Sequence, residues 1–102
     1  MIHVIAEIQI ADGKLADFLT EFHALVPAVH AEAGCIEYGP NIDVDAGLPR
    51  QVTHRPCVVT VVEKWESLEH LNAHLVAPHM LVYREKVKDL VLDAELRILT
   101  PA

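Results

Sequence analysis

The densest chemistry in the chain lies in Glu63-Lys64-Trp65-Glu66-Ser67, followed by His70, His74 and His79. A histidine whose pKa lies near neutrality can take a proton from a substrate and return it. A pocket for a small molecule needs an apolar wall and a few well-placed polar groups. His74 and His79 are therefore candidate general bases, and Trp65, the chain's single tryptophan, is the candidate wall. Each also has a plainer use, because tryptophan packs in cores and helical histidines pack or face water. His70 and His74 stand at i and i+4 and have the spacing of a metal-binding pair. No glutamate follows His70 directly and no third ligand stands nearby, so no metal is expected.

Other polar groups are secondary candidates. Tyr83 follows His79 by one helical turn and can hydrogen-bond beside it or pack in a buried stripe. Asn41, Arg97 and His3 fall at strand positions where they could touch a substrate, with an ordinary interface contact as the alternative. Glu37, Glu63 and Glu95 read as ion-pairing groups, and His23, His30 and His54 as surface residues. The chain has no glycine-rich phosphate loop, no GxSxG and no GxGxxG. Its length leaves no room for a flavin or nicotinamide fold, so no cofactor is expected. Any oxidation must draw its electrons from the substrate.

The elements that would position these groups follow from periodicity. Residues 2 to 10 alternate, with Ile2, Val4, Ala6, Ile8 and Ile10 on one face, as in a half-buried strand. Asp12 is placed to cap a helix carrying Leu15, Phe18, Leu19, Phe22, Leu25, Val26 and Val29 at helical spacing. Pro27 should kink that helix, and Gly34 is a natural left-handed stop. Residues 35 to 44 form a second strand, with Ile36, Tyr38, Ile42 and Val44 on one face and Gly39-Pro40 marking a bulge or sheet edge. A loop spans Asp45 to Pro56. The β-branched run from 57 to 66 reads as a central strand buried on both faces.

Ser67 can cap a short helix bearing Leu68, Leu71 and Leu75, and Pro78 can open a further turn. Met80, Tyr83, Val87, Leu90 and Val91 give another stripe. The last strand sets Leu92, Ala94, Leu96 and Ile98 against Asp93, Glu95 and Arg97. The order β-α-β-β-α-β is a ferredoxin-like α+β fold with an antiparallel four-stranded sheet. Right-handed crossovers put both helices on one face of that sheet. The other face holds His3, Ile5, Glu7, Gln9, Glu37, Asn41, Asp93, Glu95 and Arg97, with Glu63 and Trp65 candidates for it as well. A face this mixed suits a partner subunit that encloses a wet cavity, so a homodimer is expected.

Composition narrows the function. The 102 residues suit a single domain over 1–102. A formal charge of −7, from eight basic and fifteen acidic residues, argues against nucleic acid. No apolar run approaches the ~20 residues of a membrane span, and Met1-Ile2-His3-Val4-Ile5 lacks the pattern of a signal peptide. Cys35 and Cys57 have neither CxxC spacing nor a secreted framework, which fits reduced thiols in the cytoplasm.

Several segments in combination resemble the antibiotic biosynthesis monooxygenase (ABM) family of dimeric α/β barrels, and within it the bacterial quinol monooxygenases. They are Val4-Ile5-Ala6-Glu7-Ile8, Val26-Pro27, Glu32-Ala33-Gly34-Cys35, Glu63-Lys64-Trp65-Glu66-Ser67, His70-Leu71, Ala73-His74-Leu75, Pro78-His79-Met80 and Arg97-Ile98-Leu99. The resemblance implies a homodimer that oxidises quinols or related small phenols with O₂ and uses no flavin, haem or metal. It puts the family's tryptophan at Trp65 and its helix-two histidines at His74 and His79. Haem-degrading relatives use an asparagine in the first strand, and residues 1 to 12 contain none. The alternatives within the same resemblance are an isomerase or degradative enzyme for a small polar signal, and a non-catalytic binder of small aromatics.

Overall fold

Alternating apolar residues build the sheet, and one helical stripe closes one side of it. The computed structural model describes residues 1–102. The elements are β1 (Ile2–Ile10), α1 (Leu15–His30), β2 (Cys35–Ile42), β3 (Val58–Trp65), α2 (Leu68–Leu75), α3 (Pro78–Val87) and β4 (Val91–Leu99). The strands pair antiparallel in the order β2-β3-β1-β4, as the ferredoxin-like reading expects. The sheet is open, with β2 and β4 as its edges. No helix is long and apolar enough to cross a membrane.

The expected second helix is two helices. Pro78 lacks the N–H that would continue α2 and drives the residue before it, Ala77, into extended backbone at φ −62°, ψ 142°. Pro78 then occupies the first turn of α3, where that N–H is not needed. Ser67 caps α2, its side chain accepting from the His70 N–H at 3.3 Å.

The core lies between the sheet and the helices. Val4, Ala6 and Ile10 of β1 meet Phe18, Phe22, Leu25 and Val29 of α1, all buried. Phe22 stacks on Tyr38 with ring centroids 5.4 Å apart. Burying such aromatic and aliphatic side chains contributes roughly 1.5–3 kcal/mol each.

Several expectations need correction. Asp12 is not the helix cap: a turn at Asp12-Gly13 separates it from α1, and Lys14 occupies the cap position with no side-chain hydrogen bond. Pro27 does lie inside α1, as the stripe through Val29 expects, and the helix runs on to His30. The register shift in β2 falls between Cys35 and Glu37, so Ile36 bulges outward and is exposed instead of sharing the face of Tyr38. Val91 belongs to β4, not to the last helical stripe.

The largest correction concerns β3. It alternates buried Val59, Val61, Glu63 and Trp65 with half-buried Val58, Thr60, Val62 and Lys64. Only one face of the sheet carries helices, so only one face of β3 is closed within the chain. Glu63 and Trp65 lie on the helix side, in register with the core, and not on the open face. The cavity wall foreseen for the open face therefore lies behind it.

The open face holds His3, Ile5, Glu7 and Gln9 of β1 beside Leu99, Arg97, Glu95 and Asp93 of β4. Arg55 anchors the 43–57 loop at its edge, donating to Asp43 Oδ2 and Glu7 Oε2 at 3.0 Å each. Those hydrogen bonds hold the Asp43 carboxyl below the usual carboxylate range.

Two glycines separate backbone strain from crowding. Gly13 and Gly34 both have positive φ, 75° and 79°. A Cβ at Gly13 would meet nothing, whereas one at Gly34 would come within 2.3 Å of the His70 ring. Gly13→Ala is expected to cost about 1 kcal/mol. Gly34→Ala is expected to cost roughly 2–3 kcal/mol or more, because His70 must also move. Urea unfolding of both variants checks this, and equal losses would contradict it.

Candidate active site

Four elements and one turn bring the polar groups together. Tyr38 comes from the edge strand β2, Glu63 and Trp65 from the end of β3, and His74 from α2. Glu32 sits in the turn between α1 and β2, and His79 in the first turn of α3. A cavity of about 470 Å³ opens between the sheet and the helices. Its walls are mainly apolar, with Phe22, Val61, Met80 and Val87 among them, and Tyr38, Glu63, His74 and Tyr83 supply polar atoms. Arg84 and Lys88 stand at its rim. That size and lining suit a small, largely apolar ring compound.

His74 is fixed from three sides. Its Nδ1 lies 2.8 Å from Glu32 Oε2. A carboxylate oxygen accepts, so Nδ1 carries the hydrogen and Nε2 keeps the lone pair. Its ring packs on Trp65 with centroids 4.6 Å apart, and Tyr38 meets its edge at 5.4 Å. Nε2 lies 3.9 Å from Glu63 Oε1, too far for a hydrogen bond but close enough for a hydroxyl to lie between them. Burial pushes the His74 pKa down, against the pull of Glu32, and keeps the imidazole neutral. A neutral ring with a free Nε2 beside an apolar cavity has the form of a general base.

Glu63 complements it. The carboxyl is 6% exposed. Burial pushes its pKa up to about 7, even though Trp65 Nε1–H donates to Oε1 at 3.0 Å and favours the charged form. Near neutrality this group can therefore either hold or release a proton. Burial also pushes the Tyr38 and Tyr83 hydroxyls up, so both stay protonated and can donate. Burial and the neighbouring Glu32 and Glu63 raise the Cys35 thiol, which excludes a resting thiolate.

The residues singled out in the sequence divide between the two faces of the sheet. His74, Tyr83 and Trp65 lie on the helix side, though Trp65 backs His74 and Glu63 and does not itself line the cavity. His79 reaches Glu32 Oε2 with Nε2 at 2.7 Å. His70 turns away and bonds the Ser67 hydroxyl through Nδ1 at 2.7 Å, so the i, i+4 pair does not converge. Asn41 donates to the Thr60 carbonyl at 3.2 Å on the open face, which it shares with His3 and Arg97.

Sequence reasoning missed Glu32 and Glu63. Glu63 was open to detection, because a lone carboxylate in step with Val59, Val61 and Trp65 must be buried with them. Glu32 lies in a turn without periodicity and gave no such sign.

The raised Glu63 pKa implies a measurable pH dependence. Folding moves it from 4.5 to about 7. Between those values the native state holds a proton that the unfolded chain has lost, so Glu63's contribution to stability falls as pH rises through this window. Glu63→Gln cannot ionise and can still accept from Trp65. Its Tm relative to the unsubstituted protein is expected to rise by several degrees between pH 4.5 and pH 8. His74 titrates in both proteins and cancels in that difference. A Tm difference that does not change with pH would contradict the assignment.

The chain is similar to known proteins over nearly its whole length. The family model for antibiotic biosynthesis monooxygenases matches residues 1–86. Probable quinol monooxygenase YgiN of Escherichia coli K12 is 43% identical over 103 residues, covering 99% of this chain and 98% of that protein. The crystal structure of PA3566 from Pseudomonas aeruginosa superposes with a TM-score of 0.82 at 25% identity, covering 99% of this chain and 93% of that one. Rv0793 from Mycobacterium tuberculosis shares the fold with a TM-score of 0.80 at 22% identity, over 99% and 94% of the two chains.

Proposed function

This chain belongs to the antibiotic biosynthesis monooxygenase family, and we propose that it oxidises quinols or related small phenols with O₂, without a cofactor. The observation that carries the reading is the buried His74 held by Glu32 at Nδ1 beside an apolar cavity. The quinol lies against Phe22, Val61, Met80 and Val87, with one hydroxyl between His74 Nε2 and Glu63. His74 takes the phenolic proton. The resulting anion is electron-rich enough to reduce O₂ directly. All four electrons come from the substrate: two fix one oxygen atom on the ring as a hydroxyl and two reduce the other to water, leaving a hydroxyquinone. Both hydrogens of that water come from the substrate, passed through His74 and Glu63, which return to their starting protonation states. The apolar walls keep bulk water from the reactive intermediate.

The remaining residues take supporting places in this reading. His79 acts through Glu32, which it helps to fix. Trp65 holds His74 and Glu63 from behind, and Tyr83 contacts the substrate at the cavity wall. Asn41, Arg97 and His3 lie on the other face and serve a subunit contact. We read residues 1–102 as one domain that pairs into a homodimer through the open sheet face. Ile5 and Leu99 on that face offer apolar surface that a second sheet would cover. Pairing two such sheets would close the barrel that one chain leaves open. We place the protein in the reducing cytoplasm, where its free thiols Cys35 and Cys57 stay reduced.

Oxygen uptake by metal-free protein with a panel of naphthohydroquinones tests the activity. His74→Ala is expected to lower kcat by about 10²–10⁴-fold, with a smaller effect on KM. No enzyme-dependent uptake across the panel would contradict the oxidation. A variant with full activity would remove His74 from the base role. Sedimentation tests the assembly separately: a dimer is expected at micromolar concentration, and Ile5→Asp is expected to shift it to monomer. A monomeric unsubstituted protein would contradict the dimer.

A further inference from the structure

Three ligand atoms from three separate elements meet at the back of the cavity. Glu32 Oε2 comes from the turn after α1, His74 Nδ1 from α2 and His79 Nε2 from α3, all within 4.8 Å of one another. The break at Pro78 makes this possible, because it sets the two histidines on different helices that converge on one carboxylate. We propose that these groups bind one divalent transition ion of the Zn(II) class, and that this binding switches off the base His74.

Donor chemistry favours that class. Two imidazoles and one carboxylate form a borderline set, suited to Zn(II), Co(II) or Ni(II) more than to Mg(II) or Ca(II). The histidine nitrogens now lie 2.7 and 2.8 Å from the same carboxylate oxygen. Metal–ligand bonds of about 2.0–2.2 Å would separate the donor atoms to roughly 3.3 Å in a tetrahedral arrangement. The two imidazole nitrogens therefore retreat from that oxygen by about 0.5 Å, and their own separation, within 4.8 Å here, settles at the same roughly 3.3 Å. His79 is 31% exposed and Glu32 13%, so the ion enters from solvent beside His79 and a water fills the fourth position.

The surroundings of His74 hold a carboxylate that could support a metal ligand once it closes to hydrogen-bond distance. A metal-bound histidine usually points its other ring nitrogen at a carboxylate that fixes the tautomer. Here the other nitrogen, Nε2, faces Glu63 Oε1 at 3.9 Å, and Trp65 packs on the ring.

The switch follows from proton bookkeeping. Without metal, His74 donates Nδ1–H to Glu32 and keeps its lone pair on Nε2. The ion takes the Nδ1 lone pair, so the proton moves to Nε2. His79 likewise shifts its proton from Nε2 to Nδ1. No proton is released and no electron is transferred. His74 then presents an N–H to the cavity and cannot accept a phenolic proton. This second half rests on the base role proposed above; the binding half does not.

Titration of the purified protein with Co(II) tests the site through its visible spectrum, independently of any turnover. One saturable Co(II) per chain, with the intense bands of a four-coordinate ion, is expected. His79→Ala and Glu32→Gln should each weaken binding at least about tenfold, while His54→Ala, in the distant loop, should leave it unchanged. Absence of a saturable site in the folded protein would overturn the proposal, as would a site that survives both variants. Nitrogen-15 NMR then reads the switch directly: Zn(II) should move the His74 proton from Nδ1 to Nε2. A His74 tautomer indifferent to bound Zn(II) would overturn it, whatever substrate the enzyme takes.

Discussion

Glu32 Oε2 accepts from two histidines at once, and the chemistry of the site depends on that one oxygen. It fixes His74 by Nδ1 and His79 by Nε2. Without it, the neutral His74 ring could adopt either tautomer, and only one of them leaves Nε2 free toward the cavity. The carboxylate is held by local backbone: Glu32 N–H donates to the Val29 carbonyl at 2.9 Å and its own carbonyl accepts from Cys35 N–H at 3.3 Å. A turn between α1 and β2 thus sets the protonation geometry of a side chain forty-two residues further on. Gly34, in the same turn, leaves room for the His70 ring on α2. The approach of α2 to this turn and the hydrogen bond within it are parts of one arrangement.

Polarity is otherwise rationed. Glu63 and His74 are the two buried polar residues of the chain, and both are placed where burial alters their proton affinity. Burial moves Glu63 up and His74 down, each against its ordinary value. A carboxyl and an imidazole shifted toward one another in this way, 3.9 Å apart, can pass a proton through a hydroxyl that bridges them. Phe18, Phe22, Tyr38 and Tyr83 pack on one another through tilted, stacked and edge-to-face contacts, and Tyr38 carries that cluster to the His74 ring. That packing limits rotation and leaves an apolar space beside the pair.

Much of the fold was legible in the sequence because strand and helix periods differ. Val4-Ala6 and Phe18-Phe22-Val29 announce their faces, and β-branched residues mark β3. What failed had local causes. One extra residue at Ile36 is invisible to a count of alternation, and Gly13 moves the start of α1 past Asp12. Mixed polarity on the open face drew Glu63 and Trp65 to the wrong side, although their own step with Val61 placed them in the core. At the site, His74 and Trp65 could be singled out by type and position. Their partner Glu32 could not, because it meets them only through the fold.

The central claim is that His74 takes a proton from a bound phenolic hydroxyl before oxygen reacts. The most direct measurement is the absorption spectrum of a naphthohydroquinone bound to the protein under strict exclusion of O₂. The account predicts the spectrum of the phenolate at neutral pH with the unsubstituted protein, and that of the neutral quinol with His74→Ala. A neutral bound quinol in both, followed by rapid oxidation when oxygen is admitted, would contradict it.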